Sequence, residues 1–113
     1  MTRPPAFRIL TNESGPRVEI AIHGELDLAT APRLDAEFAR IGELDGVEVV
    51  LVDLRELAFL DSTGLEAIMK FEARSRQQGV DLAVVRGPRA VERLFSVMQL
   101  DQKLRIVDDP GDA

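Results

Sequence analysis

Two places in the chain set groups capable of chemistry side by side. Asp61-Ser62-Thr63-Gly64 puts a carboxylate before two hydroxyls, and Glu25-Leu26-Asp27 puts two carboxylates just past Gly24. A Ser-His-Asp hydrolase would need an imidazole against Ser62 and a Gly-x-Ser-x-Gly elbow around it. The single histidine, His23, closes a strand-like run, and no such elbow surrounds Ser62. An aspartic-protease motif sets glycine two residues after the aspartate; Gly64 follows Asp61 by three, and there is no second copy. His23, Glu25 and Asp27 are too loose a set for a metal and read as solvated side chains. No glycine-rich phosphate loop is present. Asp53 closes an apolar run as the phosphoacceptor of a receiver domain does. However, no acidic pair follows the first strand, and Lys103 precedes the last strand instead of ending it, so Asp53 reads as the cap of a turn. No cofactor is expected.

The elements that must position these groups follow from periodicity. The sequence holds 113 residues, 45% hydrophobic and 30% charged, which suits one soluble domain with one core over 1–113. There is no cysteine, hence no disulfide framework and no thiolate site. A net charge of −6 argues against nucleic acid and anionic membrane surfaces. No apolar run is long enough to insert in a membrane and no signal-peptide pattern opens the chain, so a cytoplasmic location is expected. Residues 1–5 and 108–113 read as loose termini.

Apolar residues 6–10 and the alternating run Val18, Ile20, Ile22 flank a turn with Asn12, Gly15 and Pro16, predicting a hairpin. Thr30 and Pro32 open a helix carrying Leu34, Phe38 and Ile41. Within the apolar run 47–57, Val47-Glu48-Val49-Val50-Leu51-Val52 is β-branched and nearly continuous in hydrophobicity, as in a strand covered on both faces. A second helix runs from about Gly64 to Gln78 with Ala67, Ile68 and Phe71 inward, and Gly79 stops it. A strand over 80–85, a helix after Gly87-Pro88 with Val91, Leu94, Phe95 and Met98 on one face, and a strand over 104–107 complete the chain. The order β-β-α-β-α-β-α-β predicts an α/β fold with a mixed, mostly parallel sheet. Loops leaving the carboxyl ends of parallel strands gather on one edge, which brings Glu25 and Asp27 near Asp61, Ser62 and Thr63.

At that junction the first-turn amides of the second helix lack partners. Ser62 or Thr63 reads as the N-cap, and Thr63-Gly64-Leu65-Glu66 spells a capping box. The same amides and the positive end of the helix dipole suit a phosphate on Ser62.

Gly24-Glu25-Leu26-Asp27 with Thr30-Ala31-Pro32, Val50-Leu51-Val52-Asp53-Leu54, and Leu60-Asp61-Ser62-Thr63-Gly64-Leu65 together resemble the bacterial anti-sigma factor antagonists of the STAS domain family. The resemblance spans the whole chain. It implies a non-enzymatic domain whose Ser62 is phosphorylated by an anti-sigma factor that is also a serine kinase. It further implies that the unphosphorylated form binds this partner and frees a sigma factor, and that a phosphatase acting on Ser62 resets the switch. Asp27 matches the aspartate of the family's partner face, and Glu25, Asp61, Ser62, Thr63, Gly64 and Glu66 are expected to share it. Glu66 departs from the small residue often found there and would repel a phosphate on Ser62. The rival readings are a docking subunit of a transporter or signalling assembly, with Ser62 only a cap, and a receiver-like domain using Asp53.

Overall fold

The structure is a computed structural model that describes residues 6–113; the loose end expected over 1–5 lies outside them. Strands β1 (Arg8–Ser14) and β2 (Arg17–Leu26) form the hairpin, turning at Gly15 with φ +62°. The other elements are α1 (Ala31–Gly42), β3 (Val49–Asp53), β4 (Leu57–Leu60), α2 (Ser62–Gln77), β5 (Asp81–Val85), α3 (Arg89–Val97) and β6 (Arg105–Val107). The main sheet runs β1-β2-β3-β5-β6, antiparallel only at β1–β2, and β4 pairs parallel with β2.

One strand differs from expectation. After the strand expected over 47–52, seen as β3, comes a strand that the expected order lacks, β4, because the chain turns at Leu54-Arg55-Glu56. Leu57 N–H donates to the Leu54 carbonyl, and the Asp53 carboxylate accepts the Arg55 amide. Asp53 is thus the turn cap the sequence suggests. Both pieces pair with β2 at different heights: β3 with residues 17–21, then β4 with Gly24–Leu26. The exchange falls where the register shifts between Gly24 and Glu25. Gly24 has φ +90°, and a Cβ there would lie 2.8 Å from the Ala6 carbonyl oxygen, so both conformation and space require glycine.

The core lies between the sheet and its helices. Alternate β2 residues Val18, Ile20 and Ile22 face it, with Leu34, Phe38 and Ile41 of α1 and Ala67, Ile68 and Phe71 of α2. The rings of Phe38 and Phe71 stack at 4.1 Å between centroids and 4° between planes, joining the two helices. Val50, Leu51 and Val52 are all buried, as a strand covered on both faces requires. What covers the second face is the tail. Leu51, Ala83 and Val85 pack with Val107 and Ala113, and the Arg17 guanidinium donates to the carbonyls of Pro110 (2.6 Å) and Ala113 (3.3 Å). Residues 108–113, expected to fray, are therefore folded onto the sheet through backbone acceptors that no hydrophobic pattern announces.

The end of α3 also departs from its pattern. Val91 and Phe95 are buried as expected, but Met98 is 51% exposed. Gln99 follows in the left-handed region at φ 58°, which redirects the chain and puts Leu100 inward. Such a position after a helix usually carries glycine.

The aromatic stack gives a direct test of this core. Phe71→Ala should cost about 3–5 kcal/mol, the usual loss for emptying a buried aromatic site. Urea unfolding should show it as a lower midpoint with an unchanged slope.

Candidate functional site

The site is built where β2 and β4 end and α2 begins. The Asp61 amide donates to the Leu26 carbonyl at 3.2 Å, which carries the β2–β4 ladder one residue further and fixes the start of α2 beside the exit of β2. Gly64, in the first turn, is buried against both strand ends. A Cβ there would come within 2.5 Å of Leu26 Cγ and 2.9 Å of the Leu26 carbonyl oxygen and Leu60 Cδ1. Glycine is what allows the helix to begin this close.

The cap is neither Ser62 nor Thr63. Asp61 takes that role in extended conformation (φ −111°, ψ −178°), its Oδ1 accepting the Gly64 amide at 3.0 Å. Helix α2 accordingly starts at Ser62, about two residues before the expected Gly64, and the capping box of Thr63 with Glu66 does not form. A carboxylate satisfies the N3 amide as a hydroxyl would and adds a negative charge at the positive helix end. Ser62 is left exposed at the first helical position with a hydroxyl that has no hydrogen-bond partner among the described residues. Thr63 is half-buried, and Glu66 is exposed one turn along from Ser62.

The β2–α1 loop is more tightly built than a free binding loop. Asp27 Oδ1 accepts the amides of Ala29 (3.0 Å) and Thr30 (3.1 Å). Thr30 holds the N-cap position of α1 but makes no side-chain bond to the helix. Its hydroxyl donates to the Glu25 carbonyl at 2.8 Å and accepts the Asp27 amide at 2.9 Å. Asp27 is therefore a structural acceptor as well as a candidate contact, more than the solvated side chain the sequence suggests. Glu25 is half-buried, opposite Phe59 in the ladder.

Sequence periodicity missed the apolar part of this surface. Leu28, in the loop after Asp27, is 73% exposed, and Phe59, three residues before Ser62, is 46% exposed. Non-core residues among acidic ones were the available signal. The lone His23 lies opposite Arg8 in the β1–β2 ladder, not in a catalytic array. Asp53 is held by Arg55, whose Nε and Nη2 donate to both carboxylate oxygens at 2.8–3.2 Å. Burial pushes the Asp53 carboxyl up, but the Arg55 hydrogen bonds and charge outweigh it and hold the group below its ordinary value of 3.8. Among the described residues no helix is long and apolar enough to cross a membrane.

With this geometry, comparison with known proteins is direct. The pattern of the STAS domain matches residues 8–113, and the chain belongs to that family. It is 29% identical over 115 residues to the anti-sigma-F factor antagonist RsfB of Mycobacterium tuberculosis, covering 100% of this chain and 91% of that one. The crystal structure of an anti-sigma factor antagonist from Mycobacterium paratuberculosis superposes with a TM-score of 0.82 at 22% identity, covering 95% of this chain and 90% of the other. The Bacillus cell fate determinant SpoIIAA in its phosphorylated form gives 0.71 at 16% identity, covering 95% and 96%.

Two measurements check these assignments. Asp61→Ala should cost about 1 kcal/mol, the usual value of an N-cap, while Ser62→Ala should stay within about 0.5 kcal/mol because its hydroxyl holds nothing. Asp53 has a lowered folded-state pKa, so its stabilisation is complete above its unfolded value and is lost as pH falls through the folded one. Asp53→Asn should therefore be less stable than the parent at neutral pH, with the gap narrowing as the pH falls below the ordinary carboxylate value of 3.8, in thermal melts at neutral and acid pH.

Proposed function

We propose that the chain is an anti-sigma factor antagonist switched by phosphorylation of Ser62. Unphosphorylated, it binds an anti-sigma factor that is also a serine kinase, and so releases a sigma factor for transcription. The kinase transfers the γ-phosphoryl group of ATP to Ser62 Oγ, whose proton leaves, with ADP as the other product. Phosphorylation ends binding, and a phosphatase hydrolyses the phosphoserine to restore the first state. The chain is a substrate and a ligand in this cycle, not a catalyst, and works in the cytoplasm.

The observation that carries this role is the free, exposed Ser62 hydroxyl at the first position of α2, with capping left to Asp61. Phosphorylation there breaks no hydrogen bond of the fold. The amides of Ser62 and Thr63 have no partner among the described residues and lie at the positive end of a sixteen-residue helix, which suits a phosphate. The effect on a partner is the opposite. About −1.5 to −2 charges are added beside Asp61 and Glu66, so a surface packed against Ser62 meets a desolvation cost and concentrated negative charge. The names of the curated relatives, RsfB among them, agree with this role. The Arg55 clamp on Asp53 gives that carboxylate a turn to hold and does not favour a receiver-like role.

The test is phosphosite mapping after incubation with ATP and each anti-sigma factor kinase encoded in the same genome. One phosphate should appear, on Ser62. Ser62→Ala should remain unlabelled and bind the kinase constitutively, whereas Ser62→Asp should bind weakly. Robust labelling of the alanine variant would overturn the assignment.

A further inference from the structure

Of the two ends of the main sheet, one is short and one is open. β6 has three residues, and the tail packs beside it. β1 has seven, Arg8–Ser14, and no strand pairs with its outer side among the described residues. An uncovered strand edge offers a row of backbone donors and acceptors, and folded proteins usually guard it with lysine, proline or a bulge. β1 contains neither lysine nor proline, and its register with β2 runs without a bulge from Arg8 to Ser14. The strand is also held firmly. The Thr11 hydroxyl donates to the Glu37 carboxylate of α1, and Arg40 pairs with Glu13 at 3.3 Å. Near its centre Leu10 is 49% exposed. It stands opposite Ala21 in the ladder and shares with it and Leu51 a shallow depression of about 300 Å³.

The geometry points to β1 as the pairing edge for β1 of a second copy of this chain, joined antiparallel about a two-fold axis through Leu10. The strand's own sequence selects this occupant. Side chains directly opposite in an antiparallel ladder share a face and touch. With the axis at Leu10, Leu10 meets Leu10 of the second copy, Ile9 meets Thr11, and Arg8 meets Asn12. The apolar residue left exposed in one copy is thereby covered by the same residue in the other, the self-complementarity that a two-fold interface requires. An axis one residue further on would set Ile9 against Glu13 and Leu10 against Asn12; one residue earlier, Arg8 against Leu10. Charge agrees with the direction. Arg8 stands near one end of the strand and Glu13 near the other, so antiparallel pairing brings opposite charges together and parallel pairing aligns like ones. Because α1 already fixes β1, little order is lost on pairing. The interface is one strand wide, so association is weak and depends on concentration. It leaves both Ser62 surfaces open, since Leu10 lies opposite Ala21, well before Leu26 at the end of β2. The inference is independent of whether Ser62 is phosphorylated.

Sedimentation equilibrium of the full chain over a concentration series should show a monomer–dimer equilibrium. Leu10→Lys sets two cations across the axis and should raise the dissociation constant at least tenfold. Val97→Lys, at a 72% exposed position on α3, should stay within twofold of the parent. The chain has no cysteine, so single-cysteine variants report the register directly. In Leu10→Cys the two thiols would sit on Cα atoms about 4.5–5.5 Å apart, within disulfide reach, and oxidation with copper phenanthroline should link them into a covalent dimer. In Asn12→Cys the two Cα atoms would lie about 14 Å apart, and linking should be at least tenfold slower. Leu10 is half-exposed, so its substitution should spare the core, which thermal melts of each variant check. A chain that stays monomeric at millimolar concentration, a dimer that survives Leu10→Lys, or equal linking of the two cysteine variants would each overturn the inference.

Discussion

The hydrogen bond from the Asp61 amide to the Leu26 carbonyl is the constraint from which the site follows. It exists because β2 changes partners partway along. A ten-residue strand with buried alternate positions would ordinarily keep one neighbour on that side for its whole length. Here β3 leaves after Asp53, the chain turns through Arg55, and β4 resumes the pairing beyond Gly24. Gly24 at φ +90° makes the change possible, since a side chain there would strain the backbone and strike the Ala6 carbonyl. The resumed ladder delivers Asp61 to the end of β2 in extended conformation, which is the conformation an N-cap requires. Capping, exposure of Ser62 and the approach of Gly64 to Leu26 are then consequences of one register shift.

This arrangement separates the groups that hold the fold from the serine proposed to be modified. Asp61 satisfies the helix, Gly64 packs it, and Leu60 and Leu65 bury its base, while Ser62 contributes to none of these. A serine that also capped the helix would couple phosphorylation to fold stability. The phosphate would then change both binding and folding, and a domain stable by only about 5–15 kcal/mol has little room for that. A charge confined to an exposed first-turn position, as proposed for Ser62, would act on a partner by electrostatics without altering the core.

Much of this was legible in the sequence because it follows from periodicity. The hairpin, the three helices, the doubly covered β3 and the gathering of Glu25, Asp27 and Asp61 at one edge all come from burial patterns and chain reversals. The misses share a cause. The β3–β4 break hides within a hydrophobic run because Leu54 and Leu57 are both buried while the two residues between them turn outward. The cap was displaced by one or two residues because Ser62 and Thr63 both suit a cap and Thr63-x-x-Glu66 mimics a capping box, and no local pattern reveals that Asp61 is already fixed by a long-range strand pair. The folded tail depends on arginine bonds to carbonyls 93 and 96 residues away. Met98 fits the helical period of Phe95, but the helix ends there, and only the left-handed Gln99 decides which way its side chain is left.

Asp27 shows why site residues are harder to assign than folds. One of its oxygens holds the amides of Ala29 and Thr30 and so shapes the loop that leads into α1. The same bonds fix the orientation of the carboxylate, so the partner contact expected of Asp27 would cost less side-chain entropy. The structural role and the expected recognition role are thus compatible at this position. Removing the carboxylate would release the loop and delete the charge together, whereas asparagine keeps an acceptor oxygen for the loop and removes only the charge. The difference between those two substitutions, measured on both stability and binding, is the physical separation of what Asp27 does for the fold from what it offers a partner.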